Sequence, residues 1–192
     1  MKRLTILALL VVAMTTGAVA HEGSIGLYND LLGTDCDATW SAFGSYQIHV
    51  LYYKSDAGPD GISGVQFRVQ PPADGAIIQS FEPSPDISVT IGDIGTTGIS
   101  CSYQVCSGTG QDILLIGHIN VFTTLSTPFQ FVVLASTDIN PSDPPVAPRV
   151  AICDDDKTIV AVLGGWFTTP DGSCDIGTEE KSWGAIKDMY KD

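Results

Sequence analysis

Apolar residues fall at every second position over most of the chain, the spacing of strands that bury one face. Tyr46, Ile48, Val50 and Tyr52 alternate with Gln47, His49 and Tyr53. After a loop over 54–60, Val65, Phe67 and Val69 alternate with Gln66, Arg68 and Gln70. Residues 47–72 therefore read as a strand–loop–strand hairpin. Pro71-Pro72 ends it, because proline cannot donate to a ladder. Ahead of it, 24–28 predicts a short edge strand, and Gly33-Thr-Asp-Cys-Asp37 a turn-rich loop. Behind it lies a looser region, with Ala76, Ile77, Ile78 and Phe81 as apolar anchors and Pro83 and Pro85 opposing a helix.

The alternation then resumes. Ile87, Val89 and Ile91 mark one strand. After a Gly92-Asp-Ile-Gly95 turn, Ile99, Cys101, Tyr103 and Val105 share the inward face of the next. Gly108-Thr-Gly110 turns the chain into a long strand over 113–122, with Ile113, Leu115, Ile119 and Val121 opposite His118. Residues 128–134 are apolar on both faces, as in a central strand. A proline-rich crossover over 140–148 leads to a closing hairpin, 150–153 and 158–163, around Asp154-Asp-Asp-Lys157. About eight or nine short strands separated by turn signals predict a sandwich or barrel.

Both ends break this period. Lys2 and Arg3, the apolar run 4–14 and Ala18-Val-Ala20 have the plan of a secretory signal peptide cleaved before His21. At the other end Ser182 is a plausible N-cap, and Trp183, Ile186 and Tyr190 form one apolar stripe. The organisation expected is a signal peptide over 1–20, a β-sandwich domain over 21–176 and an amphipathic C-terminal helix over 177–192. The mature chain is expected to be secreted or periplasmic, without membrane insertion.

Charge narrows the partners. The chain carries 22 Asp and Glu against 9 Lys and Arg, a net charge of −13, and losing Lys2 and Arg3 makes it more negative. Such a chain repels phosphate backbones and anionic lipid, so nucleic acid is not an expected partner.

Five cysteines follow the leader, so in an oxidising compartment one remains unpaired. Cys101 falls on the inward face of its strand and is expected to be that one. Cys106 and Cys153 lie at strand ends, and Cys36 and Cys174 in loops near the two termini, which suggests those two bridges. A local Cys101–Cys106 bridge is the alternative.

No catalytic motif stands out: Gly-x-Ser-x-Gly, His-Glu-x-x-His and a phosphate-cradling loop are all lacking from the sequence. His21, His49 and His118 are not spaced as zinc ligands, and His49 and His118 read as polar strand surface. No catalytic, cofactor or metal residue is assigned. At most weakly held calcium is expected, at Asp154, Asp155 and Asp156 or at Asp56 and Asp60, neither of which has the order of a dedicated calcium loop. Trp40, Tyr53 and Trp166 fall near strand ends or on outward faces, where they would offer stacking platforms for sugar.

Residues 48–122 resemble the cohesin-type β-sandwich. Gly64-Val-Gln-Phe-Arg-Val69 stands where that family has Gly-x-x-Phe-x-hydrophobic, and Leu114-Leu-Ile-Gly-His-Ile-Asn-Val-Phe122 looks like its later strand. Where cohesins continue with Tyr-Asp-Pro, this chain has Gln70-Pro-Pro72. The whole chain also resembles a group of secreted bacterial proteins that share Gly26-Leu-Tyr-Asn-Asp30, Gly33-Thr-Asp-Cys36 and Ser182-Trp-Gly-Ala-Ile-Lys-Asp-Met-Tyr190. The fold expected is an all-β antiparallel sandwich, cohesin-like/jelly-roll or Ig-like, with a short C-terminal helix. The function expected is a non-catalytic binding or structural module with a protein partner. A carbohydrate-binding module is the alternative, and a hydrolase built on loop aspartates is third.

Overall fold

The computed structural model describes residues 23–36, 40–55, 61–126, 129–137, 147–156 and 158–167. The expected signal peptide, Asp56, Asp60, Cys174 and the segment expected to form a C-terminal helix lie outside them. Two sheets face each other. One has the order β11-β1-β2-β7-β4, from Leu163–Gly164, Gly23–Tyr28, Ser45–Lys54, Ile113–Thr123 and Ala76–Pro83. The other has the order β10-β9-β3-β6-β5, from Ile159–Ala161, Arg149–Ile152, Ile62–Gln70, Gly98–Ser107 and Ile87–Asp93. Strand β8 (Phe131–Leu134) pairs with the second half of β3 and with β12 (Trp166–Phe167). All pairs are antiparallel except β1 with β11. Among the described residues nine strands have four or more residues, and the last three have two or three.

The core forms where the alternating rows meet. Ile25, Leu27, Ile48, Val50, Ile119 and Val121 from the first sheet and Phe67, Val69, Ile99 and Val150 from the second are all within 2 % of full burial. Gln66, Arg68 and Gln70 alternate outward from β3 as expected.

Several local expectations do not hold. Residues 47–72 are not a hairpin: β2 pairs with β1 and β7, whereas β3 pairs with β6, β8 and β9. The connection crosses from one sheet to the other, because each strand buries an apolar row and two such rows are satisfied by facing each other. The looser region after Pro72 is a regular edge strand, β4, on β7. Pro83 at its end suits an edge, and Pro85 falls in the turn that follows. Strand β1 is not itself an edge, since β11 lies beside it, and all six of its residues are buried. At the start of β7 the buried residues are Leu114 and Ile116, not Ile113 and Leu115, whereas Ile119 and Val121 are buried as expected. The pairing with β2 passes from Val50↔Gly117 to Leu51↔Leu115 and skips Ile116, a bulge whose extra residue inverts the faces. Val105 lies beyond the last β5 pairing, at Tyr103, and is 70 % exposed rather than inward. Strand β8 starts at Phe131 and alternates between buried and half-buried, so it is not apolar-covered on both faces.

Candidate functional site

The outward surface of the β10-β9-β3-β6-β5 sheet combines one row with a floor of small residues and a second row that carries Gln66 and Arg149, with apolar residues at its margins. Register places Val89, Ser102, Gly64, Ala151 and Ile159 in one row across five strands. Ile91, Ser100, Gln66, Arg149 and Ala161 form the next. Opposed residues in antiparallel strands point to the same side, so each row is a continuous strip. Gly64, Ser102 and Ala151 leave the middle low, while Val89, Ile91 and Ile159 at the sides are 49 %, 68 % and 65 % exposed. Val105 joins them, lining with Gly64, Ser102 and Ala151 a shallow depression of about 420 Å³. Strands spaced about 4.8 Å apart make this face about 19 Å wide.

Local sequence explains why Val89 and Ile91 are outside. The β5–β6 register shifts between Ile87 and Val89, so that Thr90 sits opposite buried Cys101. Thr90 Oγ1 and Cys101 Sγ lie 3.7 Å apart. The Cys101 thiol is free and buried, and burial pushes its pKa up to about 11. Chemically it is an inert core residue.

A disulfide closes one end of this sheet. Cys106 in β6 and Cys153 just after β9 are bonded, with Cα atoms 5.8 Å apart. In the sheet, β3 lies between β6 and β9, and strands two places apart run about 9.6 Å apart. The bridge therefore draws the two outer strands together where β3 begins. Gly61 sits there with φ of +109°, and a Cβ on it would lie 2.6 Å from Cys106 Sγ. Cys36 is also buried and disulfide-bonded, while the expected partner, Cys174, lies outside the described residues.

The opposite outer face, on the β1-β2-β7-β4 sheet, carries a polar row beside exposed Ile77 and half-buried Phe122. Register sets Tyr28, His49, His118 and Glu82 in one row across four strands. The two imidazole Nδ1 atoms approach to 2.7 Å, with the rings inclined at 75°. Asn120 Nδ2 donates to Glu82 Oε1 at 2.7 Å and to Ser80 Oγ at 3.0 Å. Beside this row, the loop after β1 folds over the sheet. Tyr53 Oη donates to the Leu32 carbonyl at 3.2 Å, and its ring lies 5.5 Å from that of Tyr28. Burial, then repulsion by His118, lowers the His49 pKa below the ordinary 6.5. Burial alone would raise the Asp30 carboxyl, but hydrogen bonds from Thr34, Asp35 and Gly33 outweigh it and hold it below its ordinary value.

These contacts bear on the sequence candidates. Trp40 is not an outward platform. It is 8 % exposed, stacked on Tyr46 at 4.6 Å and packed against Phe129, Phe131 and Phe167. Three apolar rings cluster there, and the indole fills the space among them. Tyr53 is half-buried against the loop after β1. Among the Asp154, Asp155 and Asp156 candidates, Asp154 turns both carboxylate oxygens onto Thr158, one to the amide and one to the hydroxyl. Asp30 makes the same Asp-x-x-x-Thr clamp with Thr34. Among the described residues no group of three or more His, Cys, Asp or Glu is placed to hold a metal. Sequence reasoning missed the pairing of His49 with His118, because they stand 69 positions apart and the intervening chain carries no signal of register.

No protein-family model and no curated protein matches the chain. Solved structures do. A cohesin module from the Clostridium perfringens family 33 glycoside hydrolase matches with a TM-score of 0.55 at 6 % identity, over 76 % of this chain and 93 % of that one. The seventh ScaB type I cohesin from Pseudobacteroides cellulosolvens matches with a TM-score of 0.45 at 10 % identity, over 81 % and 95 %. A type I cohesin–dockerin complex from Clostridium thermocellum matches with 0.47 at 10 %, over 77 % and 93 %. The first of these shows that the two-sheet sandwich is cohesin-like in fold.

Proposed function

We propose that this chain is an exported, non-catalytic module that binds a protein partner through the outer face of its β10-β9-β3-β6-β5 sheet. The observation that carries the reading is the row from Val89 to Ile159, exposed apolar residues flanking a floor of Gly64, Ser102 and Ala151. Exposed apolar residues grouped on one face, rather than scattered singly, mark interaction surfaces. With strands of three, four, nine, ten and seven residues at about 3.3 Å per residue and about 4.8 Å apart, the face spans roughly 500 Å² in projection. That is a large part of the roughly 800 Å² which each side of a standard protein interface buries. The cohesin-like fold is consistent with a binding role but does not identify the partner.

The face also favours protein over sugar. Neither row contains an aromatic ring on which a pyranose would stack. Asp86 before β5 and the acidic turn before Ile159 border it, and Arg149 lies within its second row, so the matching surface is apolar with basic groups at its margin and an acidic group facing Arg149.

The test is capture from the source's envelope and extracellular proteins with the immobilised mature chain. A Val89→Glu/Ile91→Glu variant is expected to lose the captured protein, and a Gln47→Glu variant on the opposite sheet to keep it. Equal capture by both variants would place binding elsewhere, and binding on a glycan array with Val89 and Ile91 irrelevant would favour the sugar reading.

A further inference from the structure

The polar face of the other sheet contains a group that the protein-binding reading does not use. His49 and His118 meet across β2 and β7 with their Nδ1 atoms 2.7 Å apart. A separation of 2.7 Å is hydrogen-bonding distance, so one Nδ1–H faces the lone pair of the other Nδ1 and the two Nδ1 atoms are brought together at one point of the surface. The His49 ring also donates to the backbone of Asn29. With Nδ1 directed at His118, Nε2 is the His49 nitrogen left for that contact, and the tautomer with Nε2–H leaves a lone pair on Nδ1. A ring whose other N–H is held by a backbone carbonyl has the outer-shell arrangement of metal-binding histidines.

We propose that His49 and His118 together bind one divalent transition-metal ion through their Nδ1 atoms, with water completing the coordination. Imidazole ligands select copper, zinc and nickel over calcium and magnesium, which prefer oxygen. At metal–nitrogen distances of about 2.0–2.1 Å, two cis ligands lie roughly 2.9–3.4 Å apart, so the rings need open by only a few tenths of an ångström. Both histidines are half-buried, which leaves one side of the pair to solvent for the remaining ligands. The field also favours a cation. Asp30 acts on His49, and Glu82 lies opposite His118 on β4. Nothing in this pairing depends on the Val89–Ile159 face, so either assignment stands if the other fails.

Isothermal titration of the mature chain with Cu²⁺, Zn²⁺ and Ni²⁺ near neutral pH tests the assignment, with Ca²⁺ as the comparison. One transition ion per chain is expected, and no Ca²⁺ heat. His49→Gln and His118→Gln are each expected to weaken binding by at least about tenfold, the scale of losing a key group at a metal site. His21→Gln guards against chelation by a terminal histidine and is expected to leave affinity unchanged. Unaltered melting midpoints of the metal-free variants establish that they fold. Where a variant does not fold, the Cu²⁺ spectrum of the parent protein decides, two imidazole nitrogens supporting the site and fewer overturning it. No transition-metal binding by the folded parent, binding lost only in His21→Gln, or binding unchanged in both His49→Gln and His118→Gln would overturn the proposal.

Discussion

Replacing Cys106 and Cys153 by alanine tests whether the end of the β10-β9-β3-β6-β5 sheet is clamped as described. The two residues are separated by 47 positions. Chain-entropy arithmetic for a loop of that length gives about 4 kcal/mol of stabilisation through the unfolded state, as an upper figure. A domain of this size is stable by only about 5–15 kcal/mol, so the loss is a large part of the total. Urea unfolding followed by tryptophan fluorescence and circular dichroism measures it. The midpoint is expected to fall and the slope to rise, because the freed unfolded chain expands and exposes more surface. Gly61→Ala supplies the second half of the test. Its φ of +109° places an L-residue in a strained region costing about 1–3 kcal/mol. Its Cβ would also meet Cys106 Sγ at 2.6 Å. The Gly61→Ala cost is therefore expected to shrink when the sulfurs are absent, a coupling read directly from the double-mutant cycle. An unchanged midpoint and slope in the double-alanine variant, or a Gly61→Ala cost independent of the bridge, would refute the clamp.

Two further outcomes follow from the core. Phe67→Ala, at a fully buried side chain that meets the Phe81 ring edge-on at 6.4 Å, is expected to cost about 3–5 kcal/mol in the same urea assay. A near-neutral result would mean that the β3 register is wrong. The folded Cys101 thiol, held at about 11 by burial against an ordinary 9.0, keeps its proton where the unfolded chain loses it. Its contribution is therefore complete below pH 9.0 and is lost as pH rises towards about 11, with the buried Tyr28 and Tyr103 phenols, also raised by burial, acting in the same direction. Iodoacetamide is expected to leave native Cys101 unmodified and to label it in urea; ready labelling of the native protein would contradict its burial.

How far the sequence could be read depends on the range of each interaction. Alternation is local, so the strands, the inward row Val65, Phe67 and Val69, and the burial of Cys101 follow from neighbouring residues. Composition and the lack of motifs likewise pointed away from nucleic acid and known catalytic centres. Tertiary structure decided everything that required two distant segments to meet. The partners of β2 and β3 depend on which apolar rows face each other, which is why a local strand–loop–strand pattern became a crossing between sheets. One skipped residue at Ile116 turned the start of β7 over, and no periodic count reveals a bulge. Trp40 went inward because Phe129, Phe131 and Phe167 arrive from far along the chain. The same long-range register assembled both surfaces of interest: Val89 through Ile159 on one sheet, and His49 with His118 on the other. Each of those residues was visible in the sequence. Their adjacency was not, because backbone hydrogen bonding permits many registers and only packing of the whole sandwich selects one.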